Sequence, residues 1–263
     1  MRKLTQQEVK ENELSILKSV AEYCDKNNIH YTLMFGTLLG SIRHDGFIPW
    51  DDDIDIAIPR DEYEWFLDNY KDTKYSVLSS KTQQEYPYPF AKVVDKSIKV
   101  IEQTSNSADM SLYIDVFPVD NVPDSSEGTK HLKKCEIICR VLLYKMISLK
   151  YPTDLVHKLL HTATKLILCP FSINYILKKQ KSLTTKYKES NTKTVAITSI
   201  RLGCKCMFPR DIFYELEKHR FENEEFNIPV EYDNVLTSFY GDYMTPPPDN
   251  QRGGHYLEAY WRE

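Results

Sequence analysis

The run MFGTLLGSIRHDGFIPWDDDIDIAI, residues 34–58, sets a glycine–threonine step and a short helical segment immediately before a strand that carries paired aspartates. Read as a strand, IDIAI alternates its side chains. Asp53 and Asp55 then project from one face, while Ile54, Ile56 and Ile58 project from the other into apolar packing. Two carboxylates on one face repel, and they stay together only when a cation lies between them or one keeps a proton. Hard oxygen donors of this kind suit Mg or Mn. Gly36 and Thr37 mark a turn whose backbone N–H groups can face phosphate oxygens.

Upstream, Thr5 and Glu8 form a capping-box pattern with Leu4 and Val9 as a hydrophobic staple, which predicts a helix to about Asn27. Tyr31 to Phe35 reads as a short strand broken by Gly36, and Thr37 to Arg43 as a helical turn. Pro59 ends the aspartate strand, and Asp61 and Glu62 load the start of the next helix with the charge its N-terminus favours. Strand-like segments follow at Tyr75–Ser79, Phe90–Val94, Ile98–Glu102 and Leu112–Phe117, joining the first two strands in one sheet.

Asp115 lies in the last of these, LYIDVFPVD, among apolar neighbours, where a lone carboxylate is costly to bury without a partner. Joined to Asp53 and Asp55, it completes a set of three acids from two strands, the parts needed for in-line displacement at phosphorus. In that scheme Asp53 and Asp55 hold metal, and Asp115 either ligates a second ion or takes the proton from an attacking hydroxyl.

From about Ser125 to Glu189 the pattern turns helical, with Pro152 and Pro170 as breaks, and predicts three helices. The apolar stretch Ile137–Pro170, with interspersed Lys and His, reads first as buried helix packing, with contact against a membrane surface, at most peripheral, as the alternative. A strand near Val195–Ser199, a hairpin around Arg220–Pro229, a helix Tyr232–Tyr240 and a rigid triple-proline segment complete the chain. The reading divides it into a catalytic core (1–124), a helical insertion (125–190) and a C-terminal segment (191–263) that completes the core and covers the substrate.

Composition narrows the function. The chain has 263 residues, 41% hydrophobic and 27% charged, with formal net charge -4, values that suit a globular protein and argue against binding nucleic acid by bulk electrostatics. Eighteen tyrosines and eleven phenylalanines against eight glycines indicate an aromatic-rich, well-packed body. No window approaches the roughly 20 apolar residues of a membrane span and no signal-peptide pattern opens the chain, so the expected location is cytoplasmic, peripheral at most at the inner face of the membrane. The six cysteines form no CxxC pair and read as reduced thiols.

The motifs GTLLGSIRHDGFIPWDDDIDI, YIDVFPVD and the terminal YGDYM…PP…H resemble the LicD family of phosphocholine transferases, which includes fukutin-related proteins. The likeness covers residues 31–63, 88–120 and 207–256 and leaves the helical middle largely unmatched. It implies an α/β (α+β) fold with a nucleotidyltransferase-like mixed sheet flanked by helices. It also implies transfer of a phospho-alcohol such as phosphocholine or ribitol phosphate from a CDP-activated donor to a sugar hydroxyl. The acceptor would be a surface glycan, lipopolysaccharide, teichoic acid or capsule, either free or lipid-linked. The family's metal pair falls on Asp53 and Asp55, its turn on Gly36 and Thr37, and its third acid on Asp115. Arg43 and Lys92 are candidates to neutralise donor phosphate, as are the terminal Arg252 and His255, while Asp51 and Asp52 read as groups that orient the loop.

Four other readings compete. An EF-hand register through Asp51, Asp53, Asp55 and Glu62 puts Ile56 where a glycine is required. An Asp-X-Asp glycosyltransferase shares the metal but calls for a parallel sheet upstream of the aspartates. A nucleotidyltransferase shares the acids and releases pyrophosphate instead of CMP. A non-catalytic cation-binding partner protein would need Asp115 far from the pair.

Overall fold

The computed structural model describes residues 1–83, 86–101, 110–146, 155–252 and 258–262. Helix α1 (Gln6–Lys26) opens on the expected capping box: the Glu8 N–H donates to Thr5 Oγ1 at 3.2 Å and the Thr5 N–H to Glu8 Oε2 at 2.8 Å. It lays Val9, Ile16, Leu17, Val20 and Cys24 into the core. Strand β1 (Thr32–Leu33), helix α2 (Phe35–His44), strand β2 (Asp55–Pro59) and helix α3 (Arg60–Asn69) follow, then β3 (Tyr75–Leu78), β4 (Ala91–Ile101) and β5 (Met110–Val122). Helices α4 (Ser126–Met146), α5 (Leu155–Leu168) and α6 (Ile173–Thr184) make the helical middle. Beyond them come β6 (Thr194–Ala196), β7 (Met207–Pro209), the hairpin β8 (Leu216–Phe221) and β9 (Glu224–Pro229), α7 (Tyr232–Tyr240) and β10 (Glu258–Trp261).

The main sheet runs β1-β2-β5-β4, with β3 and β10 sharing the outer edge of β4. Strand β2 pairs with β5 in parallel, and the other named pairs are antiparallel, so the sheet is mixed. The far half of β5 continues into β6 and β7. Helices flank this sheet, the α/β arrangement expected. One large core joins α1, the sheet, the hairpin and α7, while Leu142, Ile176 and Leu177 form a small separate cluster among α4 and α6.

Several local expectations need correction. The segments around 90–94 and 98–101 are one strand, β4, whose register against β5 shifts between Asp95 and Lys99, and Glu102 lies outside the described residues. The first strand is only two residues long, because Phe35 already turns the chain into α2 at φ 49°. Gly36 and Thr37 therefore stand in the first turn of a helix and not in a strand-breaking loop. Asp53 precedes β2, which starts at Asp55, so strand alternation is not what aligns the two. The expected strand at 195–199 is confined to Thr194–Ala196, and β7 and β10 were not anticipated. Pro152 and His255 fall outside the described residues.

Candidate functional site

Register builds the site. Asp55 on β2 stands opposite Asp115 on β5, and Asp115 stands opposite Lys92 on β4, so three neighbouring strands carry one charged row across one face of the sheet. Lys92 is 3% exposed and donates to Asp115 Oδ1 at 2.6 Å. Its ammonium also lies 3.3 Å from the Tyr113 ring centroid and 4.5 Å from that of Tyr88, favourable contacts for a buried cation.

The start of α2 is tied to this row. The Asp55 N–H donates to Thr37 Oγ1 at 2.8 Å, the Met34 N–H to the Asp55 carbonyl at 3.0 Å, and the Asp115 N–H to the Ile54 carbonyl at 2.8 Å. Gly36 has a steric role: a Cβ there would collide with the Asp51 carboxylate. The Asp51 and Asp53 carboxyls lie close together, so each disfavours the ionised form of the other. Burial first, then Asp51 and Asp115, push Asp53 well above the usual carboxylate range. Burial, then Asp53, Asp115 and Asp51, do the same to Asp55, opposed by Lys92.

Beneath the acids lies a residue that the motif reading passed over. Glu13 on α1 is fully buried, its carboxylate oxygens have no hydrogen-bond partner among the described residues, and burial followed by Asp53 and Asp52 raises its pKa strongly. The signal was present in the sequence, since Glu13 falls on the apolar stripe of α1 with Val9, Ile16, Leu17 and Val20.

Beside the acids, Gly36, Arg43, Trp50, Asp51, Tyr240 and Asp242 line a cavity of about 370 Å3. Arg43 is held toward it by donation from Nη1 to the Tyr243 carbonyl at 2.6 Å. Arg252 stacks on Trp50, with its guanidinium carbon 4.6 Å from the ring centroid. A larger apolar cleft of about 700 Å3 opens between α4 and the sheet, lined in part by Tyr88, Phe90, Phe117, Arg140 and Arg201.

The fit to a divalent cation is chemical. The acidic group offers only carboxylate oxygens, and burial first and then their mutual repulsion raise the pKa values of Asp53 and Asp55, a cost that a divalent cation such as Mg or Mn would relieve. Among the described residues no three His, Cys, Asp or Glu side chains already stand as ligands to one ion, and Asp115 is engaged by Lys92.

An α/β protein with a charged row of Asp55, Asp115 and Lys92 on the face of a mixed sheet is the class that the fold and site define. Residues 28–161 match the family described as LicD/FKTN/FKRP, nucleotidyltransferase domain, and the chain belongs to that family. It is 31% identical over 273 residues to the lipopolysaccharide cholinephosphotransferase LicD of Haemophilus influenzae, covering 99% of each chain. It is also 30% identical over 112 residues to an uncharacterized protein of Rickettsia prowazekii (41% of this chain, 39% of the relative) and 39% identical over 69 residues to one of Rickettsia typhi (25% and 22%).

Proposed function

We propose that the protein is a LicD-type phosphotransferase that moves phosphocholine from CDP-choline to a sugar hydroxyl of lipopolysaccharide, with Mg or Mn as cofactor. Likeness along the whole chain to a LicD cholinephosphotransferase supports the reaction class. The observation that carries the reading is the parallel register that sets Asp55 beside Asp115, with Asp53 electrostatically coupled to both.

In this reading Asp53 and Asp55 hold the divalent ion, whose charge would offset that of the donor diphosphate. The first-turn N–H groups of α2 at Gly36 and Thr37, which lack intrahelical acceptors, and the Arg43 guanidinium receive phosphate oxygens. Asp115, oriented by Lys92, takes the proton of the acceptor hydroxyl as that oxygen attacks the phosphorus bearing choline. The bond from that phosphorus to the CMP oxygen breaks, and CMP leaves. The acceptor approaches through the 700 Å3 cleft, whose Tyr88 and Phe90 walls are the rings that the Lys92 ammonium touches.

The helical middle supports peripheral contact with an anionic membrane at its inner face. Residues 155–188 contain seven lysines and no aspartate or glutamate in a chain of net charge -4. Leu166 and Ile167 at the end of α5 are 70% and 71% exposed, beside exposed Phe171 and Tyr175, with Lys178 and Lys179 exposed nearby. Lys181 and Lys188 instead pair with Glu64 and Asp61 of α3. Among the described residues no helix is long and apolar enough to cross a membrane.

The test is product analysis with CDP-choline, Mg and a lipopolysaccharide acceptor. CMP release with phosphocholine on the glycan is expected, together with a loss of turnover of at least ~100-fold in Asp55→Asn. Release of phosphocholine with CMP left on the glycan, or near-normal turnover in that variant, would contradict the scheme.

A further inference from the structure

The cavity beside the acids has a composition that the reaction scheme leaves unexplained. Its walls combine one cationic group, Arg43, with the aromatic rings of Trp50, Tyr240 and Tyr243 and two carboxylates, Asp51 and Asp242. Arg43 accounts for a phosphate. The rest of the wall, aromatic faces with acid groups, suits a large, weakly hydrated cation.

We infer that this cavity is the alcohol subsite of the donor and that Trp50 and Tyr240, with Asp242, select a quaternary ammonium group over a neutral alcohol. The inference rests on the CDP-alcohol reading above and goes further by naming the residues that choose the alcohol.

Three observations bear on it. The Trp50 ring is already used to hold a cation, the Arg252 guanidinium 4.6 Å from its centroid, and the ligand ammonium would take the place of that contact. Tyr240 lines the same cavity as Gly36 and Asp51 and is near enough to the acids for Asp55, Asp51 and Asp53 to raise its hydroxyl pKa after burial, which puts the aromatic wall beside the reaction centre. The polar end of Tyr243 points away, donating to Asp233 at 2.6 Å, so it offers the cavity mainly its ring and the carbonyl that holds Arg43. Arg43 and the aromatic wall thus bracket a zwitterion, with phosphate at one end and ammonium at the other. At about 370 Å3 the cavity has room for phosphocholine without the nucleoside.

The experiment compares equilibrium affinities, with Mg present, for CMP, CDP-choline, CDP-glycerol and the CDP ester of 3,3-dimethylbutanol, which has the shape of choline with carbon in place of nitrogen. The intact protein should bind CDP-choline roughly tenfold more tightly than the carbon isostere, and CDP-glycerol more weakly than CDP-choline. Trp50→Leu should bring the choline-to-isostere ratio close to one while leaving CMP affinity unchanged, and Trp50→Phe should restore part of the ratio. Tyr240→Leu, on a partly exposed ring, gives a second measure of the same ratio. Equal affinity for choline and isostere in the intact protein would overturn the inference whatever the variants do. So would a loss of CMP affinity in Trp50→Leu equal to the loss for CDP-choline, because Trp50 would then be stacking the cytosine. If neither CMP nor any CDP ester binds, the donor reading itself fails and takes the subsite with it.

Discussion

Phe35 occupies the left-handed region at φ 49°, a conformation costing a bulky residue on the order of 1–3 kcal/mol, and it is held there by packing against Phe117 and Phe239 at 5.3 and 5.1 Å. That turn swings the chain from β1 into α2 and aims the helix start at the acids. Gly36 follows it for want of space, since a side chain would displace Asp51. Glu13 shows the cost of gathering so many acids. Asp53, Asp52 and Asp51 face it, and Lys10 is the cation that opposes them. Because the folded carboxyl titrates well above its ordinary 4.5, the native state holds a proton that the unfolded chain has lost. Its stability is therefore full below that value and falls as pH rises toward the folded pKa. Glu13→Gln, which has no proton to retain, should remove this slope. In the presence of a chelator, urea unfolding should show the variant more stable by ~1–3 kcal/mol at about pH 7, with the gain vanishing near pH 4. Parallel pH profiles for the two proteins would show that Glu13 ionises normally.

At the scale of elements, α3 and β5 are fastened by a buried bidentate pair. Arg60 Nε and Nη2 donate to the two Asp120 oxygens at 2.6 and 3.0 Å, and Thr198 also donates to Asp120. Arg60 stays charged because Asp120 more than offsets its burial. Asp120→Ala would strand that guanidinium, and a loss of ~3–5 kcal/mol in chemical denaturation is expected. Helices α5 and α6 present the opposite case, apolar residues left outside with lysines around them. Flotation with vesicles containing phosphatidylglycerol should recover the protein, and pure phosphatidylcholine or high salt should not. A Leu166→Ser, Ile167→Ser double substitution should abolish flotation with little change in unfolding midpoint, because both side chains already face water. Equal recovery on neutral vesicles would remove the electrostatic part of the case.

At the scale of the whole molecule, the two ends of the chain close the sheet together. Strand β10 covers half the outer edge of β4, the Leu4 N–H donates to the Ala259 carbonyl at 2.8 Å, and the Trp261 N–H donates to the Arg2 carbonyl at 2.9 Å. The last strand thus anchors the start of α1, the helix that carries Glu13 under the site. Deleting residues 258–263 would bare the β4 edge and free that helix start. A fall in melting temperature of about 4–8 °C is expected by calorimetry, the equivalent of roughly 2 kcal/mol in a chain of this size. An unchanged midpoint would mean that β10 contributes nothing to the sheet.

What the residues determined unaided was local. The capping box of α1, the helix Tyr232–Tyr240, the hairpin near 220–229 and the three helices of the middle follow from spacing and charge within a few turns of chain, because caps, turns and periodic faces act over that range. Asp55 and Asp115 stood out for the same reason, as acids inside apolar runs, and Asp53 through its spacing from Asp55. Long-range pairing decided the rest. The parallel register of β2 on β5, the seating of Lys92 against Asp115, Glu13 under the loop and Trp50 in one wall with Tyr240 each join residues distant in sequence. A slip of one residue in the β2 register would turn Asp55 to the other face while leaving every local pattern intact, so only the folded sheet could settle which charges meet.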